Sequence, residues 1–212
     1  MAMRRVILSL LAGAFLVACA AETEDLSVAP APLGDFRLGH NIAIADNVVL
    51  GPFSRELTEQ ELETELQNAV AKRLRRYDGD GLYHLGVVMG GLVLAQPGIP
   101  VVYAPRSVMI LDVSVFDNAT QQRLNPEAKR IQVGEGFRNM VPVLGSGLVR
   151  EADVQLANMS ENAAREIEAW LNENPEWFIP KPERARVPFT ISTPAPPVVA
   201  QEVAEEVEEA VN

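Results

Sequence analysis

Few residues in this 212-residue chain have both the type and the spacing that chemistry needs. A hydrolytic triad requires a nucleophile, a base and an acid that orients the base. Ser146 stands in Gly145-Ser146-Gly147, but Leu144 and Leu148 occupy the places where a nucleophile elbow carries its outer glycines. His40 and His84 are the whole imidazole supply. One opens the periodic part of the chain and the other sits in an apolar run, so each reads as an ordinary core or surface histidine. Asp78-Gly79-Asp80-Gly81 begins like a calcium loop, yet its twelfth position is Met89, where a bidentate Glu is required. The four residues read better as a turn that ends a helix. With a single cysteine, Cys19, and two separated histidines, no zinc-type cluster is possible. The expectation is no catalytic residue, no metal and no cofactor.

Charge narrows the partners. The formal net charge is −11, which argues against nucleic acid, because phosphate binding needs a basic surface. Lys72, Arg73, Arg75 and Arg76 form the dense basic group. At the end of a helix such charges offset the dipole; the competing reading is a contact with an acidic partner or lipid headgroups. Trp170, Trp177 and Phe178 read as core and helix-end packing rather than a ligand cage.

The elements that would position these residues follow from periodicity. Residues 41–50 alternate weakly, with Ile42, Ile44, Val48 and Leu50 on one side, which predicts a strand. Thr58-Glu59-Gln60-Glu61 is a capping box. Leu62, Leu66, Ala69, Val70, Leu74 and Tyr77 follow at helical spacing. Residues 83–95 are apolar on both faces and contain Gly86, Gly90 and Gly91, as expected of a buried strand with a bulge. Residues 106–117 and 129–137 alternate cleanly around a turn at Asn118-Ala119-Thr120 and predict a hairpin with one wet face. Residues 138–150 fit an edge strand or a loop. Ser160-Glu161 is expected to open a last helix bearing Ala163, Ala164, Ile167, Trp170 and Leu171, stopped by Pro175. The order is strand, helix, strand, strand, strand, helix. It predicts an α+β domain: a small, mainly antiparallel sheet with two helices on one face.

The ends differ from the middle. Arg4 and Arg5 precede an apolar run over residues 6–17, too short to span a bilayer, and small residues and Cys19 follow; this is the pattern of an export signal. Residues 19–35, with Pro30 and Pro32, read as a flexible tether. Residues 36–178 form the expected α+β domain. Residues 179–212 are rich in Pro and end in Glu202, Glu205, Glu206, Glu208 and Glu209, which predicts a disordered acidic tail.

Leu16-Val17-Ala18-Cys19 resembles the lipobox of bacterial lipoproteins: an aliphatic residue, a tolerant position, a small residue, then Cys. The resemblance implies cleavage between Ala18 and Cys19 and acylation of Cys19, so that the protein meets the membrane through lipid. Several acyl chains anchor stably where one does not. Ala20 and Ala21, rather than Asp, follow the cysteine, which by the same resemblance implies the periplasmic side of the outer membrane. The element order weakly resembles the compact domains of envelope lipoproteins, among them transport-auxiliary lipoproteins and the amino-terminal domain of TolB. The function expected is that of a non-enzymatic accessory or scaffold subunit with an envelope protein as partner. The alternative is a carrier of a small apolar ligand held between sheet and helices. An enzyme using carboxylates alone has no motif behind it.

Overall fold

The computed structural model describes residues 26–51, 54, 57–94, 107–134 and 152–190. Strand β1 (Arg37–Ile44) and the short β2 (Val49–Leu50) lead into helix α1 (Glu59–Leu74). Strands β3 (Leu82–Val93), β4 (Val108–Asp117), β5 (Gln122–Arg123) and β6 (Lys129–Gly134) follow, then helix α2 (Ala152–Asn172) and a 3₁₀ turn at Pro175–Phe178.

The sheet is open and mixed. β3 and β4 are its centre, paired antiparallel from Tyr83↔Asp117 to Val93↔Val108. β5 and β6 both pair antiparallel with β4 on its far side. β1 and β2 run along the other side of β3 one after the other, and both are parallel to it. The expectation of a mainly antiparallel sheet is corrected there. The chain leaves β1 through α1 before it returns as β3, and a helical crossover brings a strand back in the same direction. The other expected features of the class, two helices and a small sheet, are present among the described residues.

Local sequence explains the elements. At α1 the Thr58 side chain accepts from the Glu61 backbone N–H at 3.2 Å, and Glu61 accepts from the Thr58 N–H at 2.8 Å, so two otherwise orphaned donors are satisfied. The Thr58 N–H, and after it the Thr58 hydroxyl, which donates to the same carboxylate at 2.8 Å, hold the Glu61 carboxyl below its usual range. α1 packs on β1 and on α2, while α2 reaches β6 and β4. Between them and the sheet lie Leu66, Val70, Val87, Leu111, Val113, Val115, Met159, Ala163 and Ile167, all buried.

Two further expectations are corrected. The strand read over residues 41–50 is instead β1 over Arg37–Ile44 and the short β2 over Val49–Leu50; Ile42 and Ile44 do share a side, and it is the exposed one. Leu38, Ala43 and Ala45 are buried instead, because the register slips between Leu38 and Asn41 and shifts the phase. The last helix starts at Ala152, not at Ser160, which is fully buried within it. Residues on either side of 36–178 also touch the domain. Leu33 is buried, and Gly34, with φ +83°, lies so near Phe178 that a Cβ there would stand 2.5 Å from the Phe178 carbonyl oxygen. At the other end, the described segment after Phe178 is bonded to the domain as far as Phe189. The bulge expected in β3 is present between Met89 and Gly91.

Candidate functional site

Most of the polar residues picked out by type are drawn into three structural junctions. The first joins the helices. Glu168 on α2 receives Arg73 Nη1 at 2.5 Å, Arg76 Nη2 at 3.1 Å and the Tyr77 hydroxyl at 2.7 Å. Lys72 reaches Glu161 at 2.7 Å nearer the surface. Three of the four basic residues at the end of α1 therefore meet α2, a role that periodicity on α1 alone could not reveal. Burial, and then the Glu168 carboxylate, hold the Tyr77 phenol well above its ordinary pKa. A carboxylate with three donors at a mostly buried site is satisfied, and removing it would take away a negative charge that two guanidinium groups share.

The second junction is a strap that crosses the end of the sheet. Arg184 donates from Nη1 to the Tyr83 hydroxyl at 2.7 Å and from Nη2 to Asp117 Oδ2 at 2.8 Å. Side-chain exposures of 8% for Arg184 and 3% for Asp117 make this a buried ion pair. Asp117 also accepts from the Ala119 N–H, which closes the turn after β4. Beneath it lies an aromatic cluster in which Phe36 stacks on Tyr83 at 5.6 Å and meets Phe178 edge-on at 5.1 Å. Burial raises the Tyr83 phenol, and the Arg184 guanidinium opposes that shift. Arg186 pairs with Asp78 and, at 3.3 Å, with Asp80. The acidic turn that resembled a calcium loop thus has an arginine as its counter-charge. Asp35 accepts from the N–H groups of Asp80 and Gly81, which fixes the turn further.

The third junction brings the two histidines together. The slip in β1 turns the His40 N–H toward His84 Nδ1, at 2.8 Å. His84 Nε2 lies 3.0 Å from Asn118 Oδ1. Since Nδ1 accepts, Nε2 carries the proton and donates, and the ring is neutral. The imidazole replaces a carbonyl in the ladder. The rings of His40 and His84 are 5.1 Å apart, and Phe189 meets His40 edge-on at 4.9 Å. Both ring nitrogens of His84 are thus engaged within the domain.

The face of the sheet turned away from the helices is more open. Ile42 is 53% exposed, Val88 45%, Ile44 39% and Phe116 36%. Asp112 and Arg130 form a bidentate pair on it, both bonds 3.0 Å long. That hydrogen bond is the main reason the Asp112 carboxyl lies below its usual range. A separate shallow groove of about 440 Å³ beside the start of α1 is lined by Leu57, Thr64, Glu61, Glu65 and Leu156 among others.

Among the described residues no group of three or more His, Cys, Asp or Glu side chains is placed to hold a metal, and no helix is long and apolar enough to cross a membrane. Ala18, Cys19 and Ser146 lie outside the described residues, as do residues 138–150. Arg184, Asp117, Tyr83, Glu168 and Phe189 were not singled out from sequence. The one available signal was the spacing of Arg184 and Arg186 in a segment otherwise composed like a linker.

No protein-family model matches the chain, and no curated protein matches it in sequence. Among solved structures it is similar to a Xanthomonas campestris protein of the DUF330 family, with a TM-score of 0.45 and 10% identity over 71% of this chain and 93% of the other. It is also similar to a candidate lipoprotein of Caulobacter crescentus, with a TM-score of 0.36 and 16% identity over 64% and 93% of the two chains. A hypothetical protein of Chlamydia trachomatis gives a TM-score of 0.33 and 10% identity over 65% and 98%. None of these likenesses transfers a function.

Proposed function

We propose that the protein is a lipid-anchored envelope lipoprotein, carried on acylated Cys19 after cleavage behind Ala18, and that its domain is a non-enzymatic accessory or scaffold subunit which docks on another envelope protein. The observation that carries this reading is Leu16-Val17-Ala18-Cys19 at the end of a basic, apolar leader, with the chain's single cysteine at that place. Ala20 and Ala21 favour the periplasmic side of the outer membrane.

The arrangement of the domain supports docking over ligand carriage. A carried apolar molecule was expected between sheet and helices, where Val70, Val87, Leu111, Val113, Met159 and Ile167 fill the space with their own side chains. The polar residues that could attract a catalytic reading are satisfied by one another. Lipid confines a domain to a surface and raises its effective concentration near other membrane components, which suits an accessory subunit.

Metabolic labelling with a fatty acid tests the anchor. Wild-type protein should be labelled and Cys19→Ser should not; equal labelling of the two would contradict the reading. Exporting Cys19→Ser behind a soluble signal tests the role. At native expression the soluble form should not complement a deletion, and full complementation would move the carrier reading ahead.

A further inference from the structure

We propose that the open face of the sheet is the seat of the chain's own segment 190–200. The face has the features of a surface built to be covered. Ile42, Ile44, Val88 and Phe116 stand exposed around a shallow trough on β3. Gly86 and Gly90 form the floor of that trough. A Cβ added to Gly86 would meet only the Phe116 ring, at 3.8 Å, and one added to Gly90 would meet the Asp112 carboxylate, at 3.9 Å, on the polar rim of the trough. Neither glycine has the positive φ that would demand its type. Gly90 lies in the β3 bulge, whereas Gly86 lies outside it, and its bare Cα leaves room for a chain lying along the strand.

The strap leads to this trough. Arg184 is fixed to Tyr83 and Asp117, and the Val187 carbonyl accepts from Arg37 at 2.6 Å. Phe189 then rests on His40 and His84, at the end of the trough formed by Gly86, Val88 and Gly90. From His84 to Gly90 is about 20 Å at ~3.3 Å per strand residue. A proline-rich segment advances ~3.1 Å per residue, so the residues after Phe189 reach the far end with length to spare.

Composition fits the seat. Ile191, Pro194, Pro196, Pro197, Val198 and Val199 are apolar, and no charge occurs between Phe189 and Glu202. The face of a sheet offers no backbone partners, since those lie in its plane. A segment whose prolines lack N–H groups therefore has fewer donors to leave unsatisfied there. The seat is intramolecular and does not depend on the anchor.

A thiol at Val88 reports the cover. The probe is a maleimide, applied to a full chain carrying Cys19→Ser and Val88→Cys, and to the same chain ended at Thr190. The full chain should react about tenfold or more slowly, as expected of a site reached through local opening. Both chains should be monomeric, and the full chain should melt slightly higher, since a segment that docks only on the folded domain stabilises it. Val198→Asp in the full chain should raise the rate toward that of the shortened chain. Equal rates in the full and shortened chains would overturn the proposal. So would slow labelling in both with a dimer in sedimentation, which would make a second copy the occupant, or a rate unchanged by Val198→Asp.

Discussion

Val87 and Val88 are neighbours on β3 with identical side chains, yet Val87 is fully buried beneath the helices and Val88 is 45% exposed on the opposite face. The contrast holds along the sheet. On the helix side Met109, Leu111, Val113 and Val115 alternate without interruption and are all fully buried. On the other side Ile110, Asp112, Ser114 and Phe116 mix apolar, acidic and hydroxyl groups. The covered face is where burial stabilises the fold. The open face carries apolar side chains that contribute little to folding as they stand, because they keep much of their contact with water. An exposed apolar patch on a folded domain is more often a contact surface than a source of stability. The two faces therefore separate the packing that folds the domain from a surface left to be covered.

The largest effect should come from the junction that fixes the helices over the covered face. Glu168→Ala removes the carboxylate that Arg73 and Arg76 share in a mostly buried place. It should cost about 3–5 kcal/mol in urea unfolding. A loss no larger than that of an exposed glutamate would mean the helices are held by apolar contact alone.

At the rim between the faces, Arg184→Met should cost about 2–3 kcal/mol, since Asp117 would remain buried with only the distant Lys181 for charge. The same change has a second readout. The guanidinium lowers the Tyr83 phenol against the upward effect of burial, so its removal should move that phenol further up. An alkaline absorbance titration that shows no rise for Tyr83 would contradict the arrangement.

On the open face the effect should be smallest. Asp112 has a depressed carboxyl pKa because of Arg130. A depressed folded-state value contributes stability above the unfolded-state value of ~3.9, and that contribution is lost as pH falls through the folded-state value. Arg130→Ala should therefore lower the urea midpoint slightly at neutral pH, and the two proteins should converge once the pH is below the carboxylate range. A gap that widens in acid would reverse the sign of the account.

What the sequence made legible follows the range of each signal. The capping box at Thr58 and Glu61 lies within four residues, and its geometry is found as expected. The alternation of β4 and the glycines of the β3 bulge are similarly local. The parallel pairing of β1 with β3 was not legible, since it links residues separated by a helix, and the slip after Leu38 reversed which side of β1 is buried. The start of α2 was missed because Ser160-Glu161 looks like a cap, whereas Leu156 and Met159 before it are already in the core. The strap was hidden by its composition. Pro180, Pro182 and Pro188 mark a linker, and the ion pair that fixes Arg184 spans 67 residues and leaves no period. The lipidation motif was read from four consecutive residues and the basic, apolar leader before them.

The most direct test of the division between the faces is a matched pair of substitutions in equilibrium unfolding. Val87→Ala removes two methyl groups from a fully buried site and should cost about 2–3 kcal/mol once the residual cavity is included. Val88→Ala, one residue on, should stay within about 0.5 kcal/mol of the parent. Equal losses at the two positions would contradict the account, because both faces would then be carrying the fold.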